Sequence, residues 1–275
     1  MSKGFLIYAP DSSQKDVVDS AILSALSIKI SQNKYNNVAL LTNDKTNFVS
    51  EYFDEILEFP FNINQFNTEY TGIDNIWQVL HASPFDETIF CINDVLFFND
   101  LQYELEYMSY FNLLFPQNTL ALNCEFNTYM YMTKHIEECN LPNILCDVFY
   151  FKKTGKSIYE FFNMLEIVTK NWRDIYYKIM DSHRPKNPDI RTNMSVAMRL
   201  SCYDLLCNIY TDKLNYTKPE YGWTEQYNHF LDDKCNLIIQ NHKVISPLVI
   251  NDENFVTEDV LNTYKTIYEI KNESN

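Results

Sequence analysis

The run Ser83 to Asp100, SPFDETIFCINDVLFFND, sets Asn93 and Asp94 directly behind the apolar residues Ile89, Phe90, Cys91 and Ile92 and directly before Val95, Leu96, Phe97 and Phe98. A carboxylate between two buried segments must be hydrated, hydrogen-bonded or coordinated, because desolvating it unpaired costs several kcal/mol. Asp94 therefore needs a partner, which a hydrogen-bond donor or a cation would supply. One carboxylate is nonetheless a weak site for a cation that prefers several oxygens. The plainer role for Asp94 is a helix cap or a salt bridge at a strand end.

Two other apolar runs end in the same way, at Tyr8-Ala9-Pro10 and at Thr42-Asn43-Asp44. Ligands of open α/β sheets sit beyond the carboxyl ends of the strands, so these three ends form one candidate binding edge. Neither G-x-G-x-x-G nor G-x-x-x-x-G-K-[ST] occurs in the chain. The phosphates of a nucleotide bound here would need a metal or side chains such as Lys and His in place of a glycine-rich backbone cradle.

The elements that must position these residues follow from hydrophobic spacing. Strands are predicted at 4–9, 37–42, 55–59 and 87–92, with a helix after the first (Val17, Val18, Ala21, Ile22, Ala25, Leu26; Ser13 and Asp16 as a capping box) and another over 74–82. Further strands are predicted at 119–122, 144–151 and 235–240, and helices over 157–180 and 193–210, with a loop at 183–188. The alternation predicts an α/β fold with a mixed, mostly parallel sheet flanked by helices. Residues 1–270 read as one domain and 271–275 as a flexible tail. Trp172 and Trp223 are expected as core or interface anchors, and Lys152 and Lys153 as caps of a strand end.

The chain has 275 residues, 46% hydrophobic and 21% charged, with a net charge of −15. That balance argues against broad nonspecific binding of DNA. The charge is uneven, since Lys152 to Arg191 holds nine basic and five acidic residues, a local +4 that leaves −19 elsewhere. A solvated helix face is the plain account of this stretch, and a surface for an anionic partner such as nucleic acid is the functional one. Seven cysteines without a Cys-x-x-Cys pair read as reduced thiols. No apolar run approaches the length of a membrane span and no signal peptide is visible, so a cytoplasmic protein is expected.

The segments NIWQVLHASPFDETIFCINDVLF (75–97), NLPNILCDVFYFKKTGKSIYEFFNMLEIVTKNW (140–172), TNMSVAMRL (192–200) and YTKPEYGW (216–223) resemble phage-encoded GT-A-type nucleotide-sugar glycosyltransferases. In that family a similar strand runs into Asp-x-Asp and a later His-x-Lys-Pro follows. This chain has Ile92-Asn93-Asp94 and Tyr216-Thr217-Lys218-Pro219 at those places, so two metal ligands of the pattern are replaced. Tyr216 can fill the space of the lost histidine by donating a hydrogen bond.

The resemblance implies a nucleoside-diphosphate sugar donor, with a divalent cation, Mg²⁺ or Mn²⁺ on Asp94 with an amide oxygen from Asn93, in doubt. Tyr8, Ala9, Thr42 and Asp44 would contact the nucleoside. Trp77, Gln78 and His81 would line the sugar-phosphate side, and Lys218 would neutralise the departing diphosphate, which His242 could also touch. Asp147 would contact sugar or acceptor and serve as base if the reaction inverts. The acceptor could be modified phage DNA reached through 152–191. A reading of another class is a catalytically inactive binding or scaffolding subunit that partners an active paralogue, as a homo- or hetero-oligomer.

Overall fold

A computed structural model describes residues 1–10, 15–48, 50–61, 75–120, 126–127, 140–172, 174–175, 190–203, 205, 207–217, 229–231, 237–239, 242–244, 247–250 and 255–273. Ser13, Lys218, Trp223 and the 183–188 loop lie outside the described residues.

The strands in chain order are β1 (Lys3–Ala9), β2 (Val38–Thr42), β3 (Glu55–Glu58), β4 (Glu87–Ile92), β5 (Val95–Leu96), β6 (Leu113–Pro116), β7 (Thr119–Leu120) and β8 (Phe126–Asn127). They continue with β9 (Val148–Lys152), β10 (Tyr210–Thr211), β11 (Tyr216–Thr217), β12 (His229–Leu231), β13 (Leu237–Ile239), β14 (His242–Lys243) and β15 (Leu248–Val249). The α-helices are α1 (Lys15–Ser31), α2 (Val79–Ala82), α3 (Gln102–Met108), α4 (Lys156–Lys170), α5 (Ile190–Ser201) and α6 (Glu258–Glu273).

The main sheet has seven strands in the order β10-β6-β9-β4-β1-β2-β3. β1, β2, β3 and β4 are mutually parallel, and β10 is parallel to β6. β9 alone runs against its neighbours β4 and β6. The mixed α/β architecture expected from the alternation is present. β2 and β4 are buried at every position, as strands covered on both faces must be. The edge strand β3 exposes Glu55 and Glu58, charges that discourage pairing with another chain.

Consecutive residues of β4 show which helices cover which face. The Cys91 thiol is hydrogen-bonded with Ser24 of α1. Phe90 packs on Phe149 at 4.5 Å between centroids, and Phe115, itself 5.0 Å from Phe149, meets Phe161 of α4 at 5.6 Å. Thus α1 and α4 lie on opposite faces, and each buried Phe or Leu between them contributes about 1.5–3 kcal/mol. A smaller sheet, β5-β15-β11-β7-β8, grows from the end of β4.

Several element boundaries differ from the sequence expectation. Of the helix expected over 157–180, α4 ends at Lys170, where the Asn171 side chain donates to the Ile167 carbonyl at 2.8 Å; helical backbone returns at 172 and 174–175, and 176–180 lie outside the described residues. The helix expected over 193–210 is α5, which ends at Ser201; the Tyr203 and Leu205 amides turn back to carbonyls three residues earlier, tightening the chain into turns. The strand expected over 144–151 begins only at Val148, because the Leu145 amide bonds the Pro116 carbonyl and the Ile144 carbonyl is taken by Arg199.

The helix expected over 74–82 is a 3₁₀ turn, Ile76–Gln78, followed by α2. His242 lies in β14 opposite Ile239. Residues 271–273, expected in a flexible tail, continue α6, and the Lys271 ammonium donates to the last carbonyls of α1 at Lys29 (3.3 Å) and Ile30 (2.7 Å).

Candidate functional site

β4 leaves the sheet at Ile92, and the turn Asn93-Asp94 leads at once into β5. Backbone and side-chain bonds from three directions pin this turn. The Asp94 carbonyl accepts the Ile250 amide at 2.9 Å. The Ser24 hydroxyl donates to the Val95 carbonyl at 2.6 Å, and the Ser27 hydroxyl accepts the Phe97 amide at 3.0 Å. Both serines sit on the buried face of α1, where a hydroxyl must find a partner. The spacing of Ser24 and Ser27 within an apolar helix face was the signal for this role that motif reading passed over.

Because β9 runs antiparallel to β4, its first residues lie beside the last of β4. The Ile92 amide accordingly donates to the Asp147 carbonyl at 3.0 Å. Asp147 is 6% exposed, and its Oδ2 accepts the Tyr216 hydroxyl from β11. Asn93 and Asp94 on the β4–β5 turn, Asp147 ahead of β9 and Tyr216 on β11 are thus brought to one edge of the sheet by three separate elements. Tyr216 does donate a hydrogen bond, as its place in the later motif suggested, and the acceptor is Asp147.

The ends of β1 and β2 contribute differently. Tyr8, Ala9 and Thr42 are fully buried, with the Tyr8 ring between Phe59 at 6.0 Å and Phe90 at 5.8 Å. Asp44 is exposed and caps the 3₁₀ turn Lys45–Asn47, accepting from the Thr46 hydroxyl at 2.7 Å and its amide at 2.9 Å. The Thr46 hydroxyl, with the amide second, holds the Asp44 carboxyl below the usual carboxylate range.

Trp77 and His81 belong to an aromatic cluster around Phe61, which stacks on Trp77 at 5.4 Å and meets the His81 edge at 5.2 Å. Gln78 is inside, accepting the Phe61 amide at 2.9 Å and donating to the Asn75 side chain at 2.8 Å. The Lys170 ammonium stands 5.0 Å from the Trp77 ring centroid. The His242 and Lys218 side chains are outside what the structure describes.

The lysines of the basic stretch that are described have internal partners. Lys152 donates to the Ser109 carbonyl at 3.0 Å, Lys153 to the Ser83 carbonyl, Lys156 pairs with Glu160 at 3.0 Å, and Lys170 with Glu166. Burial pushes the Lys153 ammonium below its ordinary value. Trp172 is buried, as expected of a core anchor.

A divalent cation in the manner of Asp-x-Asp does not fit these residues. Ile92, 7% exposed, offers no donor atom, and the Tyr216 hydroxyl is committed to Asp147. Among the described residues no three of His, Cys, Asp and Glu come together as a metal site. Among them, too, no helix is long and apolar enough to cross a membrane.

No protein-family profile matches the sequence, and no curated protein sequence does. The fold is similar to solved glycosyltransferase structures at low identity. Two are the glycosyltransferase GlyE of Streptococcus pneumoniae TIGR4, apo (10% identity, TM-score 0.41, 78% of this chain and 46% of that one) and in a second structure (11%, 0.41, 72% and 44%). The third is galactosyltransferase LgtC with donor and acceptor sugar analogues (13%, 0.42, 71% and 70%). This chain spans less than half the length of the GlyE chains.

Proposed function

We propose that the protein is a glycosyltransferase that binds a nucleoside-diphosphate sugar at the carboxyl edge of β1, β2 and β4. The observation that carries this reading is the convergence of Asn93-Asp94, Asp147 and Tyr216 at that edge, where open α/β sheets bind their ligands. Asp94, on its pinned turn, marks the end of β4 against which the donor would sit. Asp147, oriented by Tyr216, is the residue for a sugar or acceptor hydroxyl, and it acts as general base if the reaction inverts. Asp44 is the exposed polar group for the nucleoside. Lys218, immediately after β11, follows the Tyr216 position and is the cation for the departing diphosphate.

A second reading is a binding subunit that keeps the fold without turnover. It is favoured by the same Ile92 and Tyr216 that remove metal ligands. A thermal-shift panel of UDP-, GDP-, CMP- and TDP-sugars, each with Mn²⁺ and with EDTA, separates the two. A ligand at about 100 times its dissociation constant adds about 2.7 kcal/mol, a rise of about 5 °C for a chain of this length. One responding nucleotide sugar together with its hydrolysis or transfer supports the transferase. A panel with no shift overturns it in favour of the subunit. Adding duplex DNA to the responding mixture tests the acceptor, and product release only with DNA would assign it.

A further inference from the structure

Arg199 stands in the last turn of α5 and is 3% exposed. Its Nε donates to the Ser195 hydroxyl at 3.1 Å and its Nη2 to the Ile144 carbonyl at 2.6 Å. Its Nη1 is buried and has no hydrogen-bond partner among the described residues. Burial lowers the pKa of the guanidinium, yet an arginine keeps its charge in a protein.

This is an unusual way for this fold to treat a buried ion. At the opposite end of the sheet, buried Glu87 pairs with Lys3 at 2.9 Å, approaches Lys152 at 3.9 Å and accepts the Tyr150 hydroxyl at 3.0 Å. Among the described residues no carboxylate pairs with Arg199. A buried charge without a counter-ion is strongly unfavourable, and a helix C-terminus and one carbonyl offset only part of that. The position of the imbalance is informative. Arg199 binds the Ile144 carbonyl, and Asp147, three residues further on, accepts the Tyr216 hydroxyl. The uncompensated cation therefore lies directly behind the edge where the metal-ligand set is absent.

We propose that Arg199 is the cation of a metal-independent subsite for a phosphate or diphosphate group, with Nη1 as its free donor. The inference rests on the donor class proposed above and adds how that donor's charge is met. Nη1 is out of solvent contact, so the anion takes it only when a neighbouring side chain moves aside. Tyr216, on a strand of two residues, is held by Asp147, three residues beyond the Ile144 carbonyl that Arg199 binds.

The test is titration of the full chain with inorganic pyrophosphate in EDTA, followed by calorimetry and by the Nε–H resonances of the four arginines. Wild type should bind, the buried Arg199 resonance should move, and Arg199→Gln, shown folded by circular dichroism, should bind at least about tenfold more weakly, the loss of one charge-assisted bond. Arg199→Lys, which keeps charge without the fork, should fall between them. Absence of binding by wild type in EDTA overturns the proposal, as does equal binding by Arg199→Gln. Should Arg199→Gln fail to fold, a stationary Arg199 resonance in saturated wild type overturns it and a shifted one supports it. Pyrophosphate binding that needs Arg199, without a response to any nucleotide sugar, would remove the transferase reading and leave this subsite standing. Nucleotide-sugar binding indifferent to Arg199 would do the reverse.

Discussion

The Tyr216–Asp147 hydrogen bond makes a demanding test of the site, because it joins two residues 69 apart in sequence and both nearly out of solvent. Tyr216→Phe removes only the hydroxyl. A hydrogen bond to a charged acceptor contributes about 1.5–3 kcal/mol, and with a urea slope of about 3 kcal/mol/M the midpoint should fall by about 0.5–1 M. Part of any such loss could come from changes around the ring, so the measurement is a double-mutant cycle with Asp147→Ala. The coupling between the two substitutions should be about 1.5 kcal/mol or more, since each single variant already loses the same bond. Urea unfolding of the four proteins, followed by tryptophan fluorescence, gives the number directly. A coupling below about 0.5 kcal/mol would show that the hydroxyl does not hold the carboxylate, and the assignment of Asp147 as an oriented group would go with it.

Two further outcomes follow from the charge arrangement. Glu87→Ala leaves Lys3, Lys152 and the Tyr150 hydroxyl around a vacated buried acceptor, and should cost about 3–5 kcal/mol in the same assay; a loss under about 1 kcal/mol would show the network to be idle. Burial pushes the Cys146 thiol from 9.0 up to about 12. Above pH 9.0 the unfolded chain releases this proton while the folded chain retains it, so stability is full below that pH and declines toward pH 12, by up to about 1.4 kcal/mol per pH unit. Cys146→Ala should make the decline shallower between about pH 9 and about pH 11, the buried Cys91 and Cys202 thiols keeping the remainder, and an unchanged slope would refute it.

The strands of the sheet were legible because they are short apolar runs closed by Pro, Asn or Asp, and because parallel strands covered on both faces need apolar residues at every position. For the same reason Asn93-Asp94 stood out, since a carboxylate there breaks the run. The helix ends were less legible. Asn171 closes α4 with its own side chain, and the turns after Ser201 shorten α5, although the apolar spacing continues past both.

What the sequence by itself determined was the local chemistry: which segments bury, where a strand gives way to a polar turn, and that Ile92, next to Asn93-Asp94, offers no metal ligand. Only the tertiary structure decided that β9 runs against β4. That reversal sets Asp147 beside Ile92, and the short strand β11 then brings Tyr216 to its carboxylate. Strand direction and long-range pairing depend on the path of the connections, which leave no periodicity in the residues they join. The same holds for Arg199, whose surroundings come from α5, the 144–147 segment and β11 together, and whose unpaired nitrogen no pattern of residues along the chain could disclose.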